Sequence, residues 1–401
     1  MKCVILAAGE GKRMHPLTYT RPKVMLPIAG KPILEWNLLN ARAAGLKEFI
    51  FVVSYKSEMV REYFADGKTW NVKITYVNQG TPQGTAHAIS VIESFVNDFL
   101  IMCGDTIFGI NDIKNMIKKG TKMGVIKAEN ATEYGVVELK GNQVQKITEK
   151  MDQPLSNIIN AGVYHFNKQI FDYIRKTEKS PRGEFEITDS INMLVSKESM
   201  EGVLLNEWRD VVYPWHLLDA NEEILKKIDK KIRGEIDKNT TILGNVIIGK
   251  NSRILAGSYI EGPVVIGDDC KIGPNCYIRP YTTIGSRCHI GNACEIKNSI
   301  IMDNSNVPHL NYVGDSIIGQ NCNLGAGTTI ANLRLDKKNI SVILNGKKIN
   351  SGRRKLGAII GDNVQTGINS IMDVGTIVGN NTFIGPGAIA KDEIKSNSKI
   401  L

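Results

Sequence analysis

The sequence predicts an α/β domain with a mostly parallel, doubly wound sheet, followed by a left-handed parallel β-helix of hexapeptide repeats. In the first half, short apolar runs alternate with helical stretches, which is typical of a doubly wound sheet. In the second half, isoleucine recurs at every sixth position. This period fits neither a helix nor an alternating strand. With 401 residues, the chain is also longer than one typical core requires.

The first half supplies the strands and helices of the predicted sheet. Its apolar runs, at 4–7, 49–54, 73–77 and 99–102, are predicted to be strands. Helical stretches lie between them, among them 32–45 and 84–95. The stretch 219–235, rich in Lys, Glu, Ile and Leu, then predicts a connecting helix, and we place the domain boundary near 225–240. We therefore divide the chain into a first domain at 1–225, a linker helix at 226–240 and a β-helix at 241–401.

The hexapeptide period is strict over ten consecutive repeats. Its isoleucines are Ile242, Ile248, Ile254, Ile260, Ile266, Ile272, Ile278, Ile284, Ile290 and Ile296. Each is predicted to point inward and to stack on the equivalent residue one coil away, three repeats further along the chain. A small residue is expected two positions earlier, and five cysteines lie there: Cys270, Cys276, Cys288, Cys294 and Cys322. These cysteines are therefore predicted to be structural.

The period breaks twice, which predicts two excursions from the coil. The first covers about 299–315 and carries His309, and the second covers about 332–354. A basic cluster falls in or beside the second: Lys347, Lys348, Arg353, Arg354 and Lys355. Because function concentrates in segments that leave a regular scaffold, both excursions are candidate functional sites.

Composition favours an ordinary cytoplasmic protein. The net charge of +9 arises from 50 basic and 41 acidic residues that are largely interleaved. Phosphorylated small substrates explain this surplus, so we expect no nucleic-acid partner. No apolar run is long enough to cross a bilayer, and the N-terminal apolar stretch is too short for a signal peptide, so we expect no membrane partner.

Two motifs near the N-terminus point to phosphate chemistry. LAAGEGKRM (6–14) follows the first strand, and TRPKVMLPI (20–28) comes next. A glycine-rich turn after a strand presents backbone N–H groups to an anion. Arg13 and Lys23 add cations suited to a triphosphate. The spacing is neither a P-loop nor a GxGxxG fingerprint.

These motifs resemble the signature of the sugar-nucleotide pyrophosphorylases, a glycine-rich [LI]-A-A-G-x-G-x-R followed by P-K. Six further segments are similar to later segments of this family. They are QGTPQGTAHA (79–88), MCGD (102–105), EYGVV, TEK (148–150), NAGVY (160–164) and WRDVVYPW (208–215). The resemblance implies that Leu6, Ala8, Gly9, Gln79, Gly84 and Thr85 bind the nucleotide. It implies that Gly135, Glu149, Lys150 and Asn160 bind the sugar phosphate.

The same resemblance implies the reaction of the first domain. A sugar-1-phosphate oxygen attacks the α-phosphorus of UTP or dTTP, and pyrophosphate leaves. Asp105 and Asp210 are implied ligands of Mg²⁺, while Arg13 and Lys23 are implied to stabilise the leaving group. The chain has Val212 where the family usually has glycine, which puts the second metal ligand in question.

The second half carries VPHLNYVGD (307–315) and NLGAGTTIANLR (323–334). These segments resemble the amino-sugar-1-phosphate acetyltransferase half of the bifunctional enzymes that make UDP-N-acetylglucosamine, including archaeal counterparts. The resemblance implies that His309 is the base that deprotonates the attacking amine. It implies that Ala326 lies by acetyl-CoA. The implied sugar-phosphate residues are Arg279, Lys297, Tyr312, Asn323, Asn332 and Lys338, with Lys337 as an alternative to the last.

Three interpretations remain open at this stage. In the first, the chain is a bifunctional enzyme that acetylates glucosamine-1-phosphate and couples the product or glucose-1-phosphate to a nucleotide. In the second, it is a nucleotidylyltransferase on a structural β-helix. The third is a non-enzymatic relative like the exchange subunits of translation factors, against which the intact Arg13, Lys23, Asp105 and Asp210 argue. The resemblance implies a homotrimer or a multiple of it. The choice between UTP and dTTP, and between gluco and galacto amino sugars, stays open.

Overall fold

The computed structural model describes residues 1–150, 152–154 and 156–401, which divide into two compact units. The first unit comprises Met1–Glu10, Pro22–Met25 and Ile33–Asp210. The second comprises Gly11–Arg21, Leu26–Pro32 and Val211–Leu401. Two short N-terminal segments thus belong to the same unit as the C-terminal half, which the hydrophobic pattern did not predict.

Among the described residues, thirteen strands and seven α-helices precede the repeats. The strands are β1 (Lys2–Ala7), β2 (Pro27–Ile28), β3 (Lys31–Pro32), β4 (Glu48–Val53), β5 (Lys73–Asn78), β6 (Asp98–Cys103), β7 (Thr106–Phe108), β8 (Lys122–Lys127), β9 (Val136–Lys140), β10 (Gln143–Thr148), β11 (Ile158–Asn167), β12 (Glu201–Leu204) and β13 (Trp208–Asp210). The helices are α1 (Ile33–Ala43), α2 (Ser57–Phe64), α3 (Thr85–Ser90), α4 (Ile110–Met116), α5 (Ile170–Ile174), α6 (Ile187–Val195) and α7 (His216–Leu225). The four predicted strands correspond to β1, β4, β5 and β6, within one or two residues at each end.

The first unit is organised around a nine-stranded sheet in the order β5-β4-β1-β6-β11-β8-β12-β10-β9. Strands β5, β4, β1 and β6 are parallel, whereas β11 runs antiparallel to β6 and to β8. The chain proceeds from β1 outward to β4 and β5 and then returns to β6 on the other side of β1. The carboxyl ends of β1 and β6 therefore lie at a topological switch point, where α/β sheets bind ligands.

The second unit contains the β-helix. Its strands are β14 (Lys231–Ile232), β15 (Glu235–Ile236), β16 (Thr241–Leu243), β17 (Val246–Ile248), β18 (Arg253–Ile254), β19 (Tyr259–Glu261), β20 (Val264–Ile266), β21 (Lys271–Ile272), β22 (Tyr277–Ile278), β23 (Thr282–Ile284), β24 (His289–Asn292), β25 (Glu295–Lys297), β26 (Ile300–Ile301), β27 (Asn306–His309), β28 (Tyr312–Gly314), β29 (Ile317–Ile318), β30 (Thr329–Ile330), β31 (Ser341–Leu344), β32 (Lys347–Asn350), β33 (Ile359–Ile360), β34 (Gln365–Thr366), β35 (Ile371–Met372), β36 (Ile377–Val378), β37 (Phe383–Ile384), β38 (Ile389–Ala390), β39 (Glu393–Ile394) and β40 (Lys399–Ile400). Except for β31 and β32, they stack as three parallel faces.

The inward column of the β-helix is the one that the repeat predicted. Ile248, Ile266 and Ile284 are direct neighbours on successive coils, and all three are at most 1% exposed. The five predicted structural cysteines are also buried. Several of their thiols donate to backbone carbonyls, such as Cys270 to Gly285 at 3.0 Å. The hexapeptide hypothesis is therefore confirmed for the architecture.

The linker helix predicted over 226–240 is not present. Helix α7 ends at Leu225, and the following residues already form the strands β14 and β15, whose partners are β17 and β18. Composition misled the prediction because Lys- and Glu-rich sequence favours helix in isolation. Here the backbone hydrogen bonds of the next coil are available, and pairing overrides that local propensity.

The first predicted excursion, over about 299–315, is also wrong. The coil continues through it, and Ile301, Val307 and Val313 occupy the inward positions above Ile284, Ile290 and Ile296. The number of residues between stacked inward positions is one smaller here than in the preceding coils. The coil therefore accommodates a missing residue without opening a loop. His309 is consequently the last residue of strand β27.

The second excursion is a real insertion. Strand β29 pairs with β33 across residues 319–358, and part of this segment forms an antiparallel hairpin of β31 and β32. Asn345 and Gly346 form its turn, and their backbone N–H groups donate to the Glu393 carboxylate. The hairpin is therefore held against a later coil of the β-helix, at strand β39. Among the described residues, no helix is long and apolar enough to cross a membrane.

A buried ion pair attaches the segment Gly11–Arg21 to the β-helix within the second unit. Arg21 Nη2 lies 2.5 Å from Asp362 Oδ2, and the two side chains are only 4% and 5% exposed. The guanidinium also donates to Gln320 Oε1 at 2.9 Å, and Thr20 Oγ1 donates to the same Asp362 oxygen. Such a pair is stabilising only while both partners are present.

We predict that Asp362→Ala lowers the free energy of unfolding by about 3–5 kcal/mol, because it leaves the Arg21 guanidinium buried without its carboxylate. Chemical denaturation of the full chain measures this. Asp237→Ala removes the partner of Arg253 in a solvent-exposed pair and is the matched control, with a much smaller expected loss. Equal losses for the two variants would contradict the prediction.

Candidate active sites

The N-terminal site begins at the ends of β1 and β6. The N–H of Gly104 donates to the carbonyl of Leu6 at 2.9 Å, which places Asp105 directly beside the end of β1. A side chain at Gly104 would collide with that carbonyl, since its Cβ would lie 2.5 Å from the oxygen. The MCGD motif thus needs glycine so that the two strand ends can approach.

The two predicted metal ligands come together although they are far apart in sequence. Strand β13 pairs antiparallel with β7, and this pairing sets Asp210 opposite Thr106, the residue after Asp105. Burial, and then the charges of Asp105 and Asp210, raise the pKa of the Cys103 thiol. Asp105 and Asp210 are therefore both near the Cys103 thiol, at the end of β6.

This pair of carboxylates suits Mg²⁺ better than it suits a metal ion that is bound by protein ligands alone. Among the described residues there is no group of three or more acidic, His or Cys side chains that could hold a metal. Two carboxylates, with the remaining positions left to phosphates and water, is the usual donor set for Mg²⁺ at a phosphoryl-transfer site. Lys23 Nζ donates to Asp105 Oδ2 at 2.6 Å, so a predicted phosphate-binding cation lies next to a predicted metal ligand.

The predicted nucleotide residues surround the same sheet edge. Leu6 belongs to β1, and the carbonyl of Ala8 accepts the N–H of Tyr55 at 3.4 Å. A Cβ added at Gly9 would meet nothing within 4 Å, so the turn leaves open space. The buried Gln79 side chain donates to the Gly84 carbonyl at 3.3 Å, and Thr85 is the first residue of α3.

Most of the predicted sugar-phosphate residues are neighbours. The carbonyl of Gly135 accepts the N–H of Asn160 at 2.8 Å, and a Cβ at Gly135 would lie 3.3 Å from Glu149. Asn160 also bonds the hydroxyl of the buried Tyr164. The Lys150 ammonium lies 3.9 Å from the Glu133 carboxylate.

Sequence reasoning missed two residues that hold Glu149. Arg182 donates to Glu149 Oε2 at 3.2 Å, and Thr188 donates to Oε1 at 3.1 Å. Neither belongs to a segment that resembled a family motif, and only the packing of α6 and the preceding loop places them here. Arg13, the remaining predicted residue, belongs to the second unit, where its guanidinium lies 5.9 Å from the ring centre of Tyr213.

The C-terminal site is a polar network on the β-helix. Asn332 donates to the hydroxyl of Tyr312 at 3.1 Å and to Asp315 at 2.6 Å. Lys297 donates to the same Asp315 oxygen at 2.9 Å. Asp315 is 2% exposed and accepts a further bond from Asn298 at 2.7 Å. Asp315 was part of the quoted motif but had no predicted role, and it proves to be the centre of the network.

Arg279 joins this network through charge. Its guanidinium donates to Glu295 at 2.8 Å. Burial, the charge of Glu295 and the charge of Asp315 raise the pKa of Tyr312, and the bond from Asn332 and the charge of Arg279 oppose that shift. Four of the six predicted sugar-phosphate residues therefore belong to one network of hydrogen bonds and charge interactions. They are Arg279, Lys297, Tyr312 and Asn332.

His309 and the predicted acetyl-CoA residue are close through the backbone. The side chain of His309 is exposed, and its carbonyl accepts the N–H of Gly327 at 3.1 Å, one residue after Ala326. Asn323 is exposed and forms a bridge with Asn306 on the same strand as His309. Lys338 lies apart from these contacts, in an exposed turn where its N–H donates to Asp336 at 3.2 Å.

Comparison with known proteins identifies the family of the chain. A family model described as "Nucleotidyl transferase" matches residues 2–227, more than half of the chain, and "Hexapeptide repeat of succinyl-transferase" matches 357–389. "Bifunctional protein GlmU" of Methanocaldococcus jannaschii is 43% identical, over 99% of this chain and 97% of its own. "Bifunctional sugar-1-phosphate nucleotidylyltransferase/acetyltransferase" of Sulfurisphaera tokodaii is 42% identical, over 98% of each. The chain belongs to this bifunctional GlmU family.

Solved structures support the fold of the first half of this GlmU-family chain. A putative glucose-1-phosphate thymidylyltransferase from Bacillus anthracis is 25% identical, with a TM-score of 0.52 over 58% of this chain and 97% of its own. A UDP-glucose pyrophosphorylase is 23% identical, with a TM-score of 0.52 over 57% of this chain and 99% of its own. A further family model, "GMPPB C-terminal domain", matches residues 260–342.

We predict that Gly84→Ala impairs the N-terminal site. Gly84 has φ +107°, and an added Cβ would lie 2.5 Å from the carbonyl oxygen of Phe185. The loop must therefore move, which displaces the carbonyl that Gln79 contacts, and we expect the KM for the nucleotide to rise about ten-fold for a loss near 1.4 kcal/mol. Steady-state kinetics of pyrophosphate release measures it.

Gly141→Ala is the matched control for Gly84→Ala. Gly141 also has a positive φ, +62°, but a Cβ there would meet nothing within 4 Å. Gly141→Ala therefore places a side chain on a left-handed backbone, as Gly84→Ala does, but its Cβ collides with no neighbouring atom. If both variants keep the wild-type KM for the nucleotide, the loop around Gly84 does not contribute to nucleotide binding.

Proposed function

We propose that the protein has two active sites in one chain. The N-terminal site transfers a nucleotidyl group from UTP or dTTP to N-acetylglucosamine-1-phosphate or glucose-1-phosphate and releases pyrophosphate. The C-terminal site transfers the acetyl group of acetyl-CoA to the amine of glucosamine-1-phosphate. The observation that carries the proposal is the presence of two separate, assembled networks. Asp105 lies with Asp210 in one, and Tyr312 with Asn332 in the other.

At the N-terminal site, the chain's own residues position and neutralise charge. Mg²⁺, when held by Asp105 and Asp210, supplies neutralisation of the phosphate charge. Lys23, whose Nζ lies 2.6 Å from Asp105 Oδ2, would stabilise negative charge on phosphates that bind beside that carboxylate. Gln79 and Gly84 orient the base, and Glu149, fixed by Arg182 and Thr188, accepts hydrogen bonds from sugar hydroxyls.

At the C-terminal site, His309 takes a proton from the attacking amine. The amine nitrogen attacks the thioester carbonyl, the carbon–sulfur bond breaks, and the thiol leaves with a proton. An exposed imidazole at the end of β27 can receive a substrate without rearrangement of the coil.

We propose domain limits and an assembly that follow from these roles. The nucleotidylyltransferase domain comprises about 1–225, and the β-helix, 241–401 in the sequence prediction, begins by 231 because Lys231 already pairs in the coil. β-Helices of this type assemble around their flat faces, and we propose a homotrimer or a multiple of it. Exposed apolar residues such as Ile371 and Ile389, neighbours on one face, support that assembly.

We predict that His309→Ala abolishes thiol release from acetyl-CoA with glucosamine-1-phosphate. Loss of a positioned general base costs about 10²- to 10⁴-fold. UTP-dependent pyrophosphate release by the same variant should be unchanged. If the wild type releases no thiol with any hexosamine-1-phosphate, the acetyltransferase proposal fails, and the alternative of a nucleotidylyltransferase on a structural β-helix is correct.

We predict the reverse pattern for Asp105→Asn. Pyrophosphate release should fall about 100-fold or more, since a preorganised charge at the reacting phosphates is lost. Thiol release should be unaffected. Asp98→Asn, at the first residue of strand β6 and so at the end of the strand far from Asp105, is a control that should retain nucleotidyl transfer. Full activity of Asp105→Asn at limiting magnesium would show that Asp105 is not a metal ligand.

A further inference from the structure

The turn at 180–188, which leads into helix α6, contacts two parts of the N-terminal site that are far apart in sequence. Its backbone is closed on itself. The N–H of Ser180 donates to the carbonyl of Glu184 at 2.8 Å, and the N–H of Gly183 donates to the carbonyl of Ser180 at 2.8 Å. Gly183 has φ +79°, a left-handed conformation that glycine adopts without strain. The 180–188 turn is therefore an ordered support for the groups that project from it.

The backbone of the 180–188 turn is hydrogen-bonded to the loop that is proposed to bind the nucleotide. The N–H of Phe185 donates to the carbonyl of Gln83 at 2.8 Å, and the carbonyl of Phe185 accepts the N–H of Ala86 at 2.9 Å. Gly84 lies between these two bonds, and a Cβ there would be only 2.5 Å from the carbonyl oxygen of Phe185. Phe185 therefore fixes the position of the loop around Gly84.

Side chains of the same turn hold the carboxylate that is proposed to bind the sugar. Arg182 Nη2 donates to Glu149 Oε2 at 3.2 Å, and Thr188 Oγ1 donates to Glu149 Oε1 at 3.1 Å. The same Arg182 nitrogen donates to Glu186 Oε1 at 2.9 Å, and the side chain of Glu186 is only 8% exposed. Arg182 is therefore held by a buried carboxylate of the turn while it contacts the carboxylate of the site.

The contact between Arg182 and Glu149 has little weight for stability alone. The two side chains are 44% and 31% exposed, and ion pairs that reach solvent contribute little to folding. The consequence of this contact is positional, because Arg182 lies only three residues before Phe185 on the same closed turn. A shift of the loop around Gly84 therefore displaces the group that orients Glu149.

We propose that Arg182 is a positioning residue through which the 180–188 turn couples binding of the nucleotide to binding of the sugar phosphate. A nucleotide that orders the loop around Gly84 also fixes Phe185 and, through Arg182, the carboxylate of Glu149. The sugar phosphate then meets a site that is already ordered. Because coupling between two binding sites is reciprocal, the sugar phosphate tightens nucleotide binding by the same factor. The inference rests on the proposed nucleotidyl transfer and deepens it by assigning the connection between its two substrates.

The test is Arg182→Gln in the full chain, assayed by initial rates of pyrophosphate release at varied UTP and varied N-acetylglucosamine-1-phosphate with Mg²⁺ present. The coupling factor is the dissociation constant of UTP from the free enzyme divided by the KM for UTP at saturating sugar phosphate. We expect it to be about five-fold or more in the wild type and within about two-fold of one in the variant. The KM for the sugar phosphate should rise about ten-fold, the loss expected for a hydrogen bond to a charged group, with kcat within about three-fold.

Arg182→Lys is the rescue variant, because it keeps a cation that can contact Glu149 by a single point contact. It should recover part of the coupling factor and of the KM for the sugar phosphate. Arg175→Gln is the matched control, since Arg175 is an exposed arginine paired with Glu93 and Asp172 in the same unit. It should leave the coupling factor and both KM values unchanged.

A coupling factor near one in the wild type, or one that Arg182→Gln leaves unchanged, would overturn the proposal. So would a lowered thermal midpoint of Arg182→Gln whose kinetic defects Arg182→Lys does not relieve, because the arginine would then serve folding alone. Absence of pyrophosphate release from the wild type with any sugar-1-phosphate would instead contradict the proposed nucleotidyl transfer itself. The two failures are therefore distinguishable.

Discussion

The inward column of the β-helix is the constraint on which the second unit depends. A coil of three short strands cannot bury its apolar residues alone, and each fully buried isoleucine is worth about 1.5–3 kcal/mol only when the neighbouring coils cover it. This requirement explains why the coil absorbs a one-residue deletion, with Ile301 stacked on Ile284, and does not open into a loop. It also explains why the real insertion leaves the column unbroken, with Ile318 stacked directly on Ile360. The polar groups of the C-terminal site are held in place because their backbone belongs to this rigid stack.

Both candidate sites keep their cations paired with carboxylates. Lys23 is bound to Asp105 at the N-terminal site, and Lys297 is bound to Asp315 at the C-terminal site. Such pairs fix long, flexible side chains at a defined position, which reduces the entropy that substrate binding must overcome. A substrate phosphate then needs charge from elsewhere. At the N-terminal site the proposed Mg²⁺ supplies it.

Sequence reasoning failed where a local signal competed with pairing between distant segments. The stretch 226–240 has helical composition, yet Lys231 and Glu235 pair with the next coil and form strands. The gap in the hexapeptide period suggested an excursion because two steps, from Ile296 to Ile301 and from Val313 to Ile318, are each one residue shorter than the period, and a pattern search cannot distinguish such deletions from a loop. The argument for His309 changes accordingly. It rests on an exposed position at the end of β27, near Ala326, and not on membership of an insertion.

The sequence by itself determined the two architectures, the inward residues and the structural cysteines, and its motifs named most of the residues that the structure brings together at the two candidate sites. It could do so because periodicity and short motifs are local properties of the chain. Only the tertiary structure decided which residues hold the motif residues in place, such as Arg182 at Glu149 and Asp315 at Lys297. It alone showed that Arg21 is buried against Asp362. These contacts join residues that are distant in sequence, and their energies depend on burial and pairing, which no local pattern records.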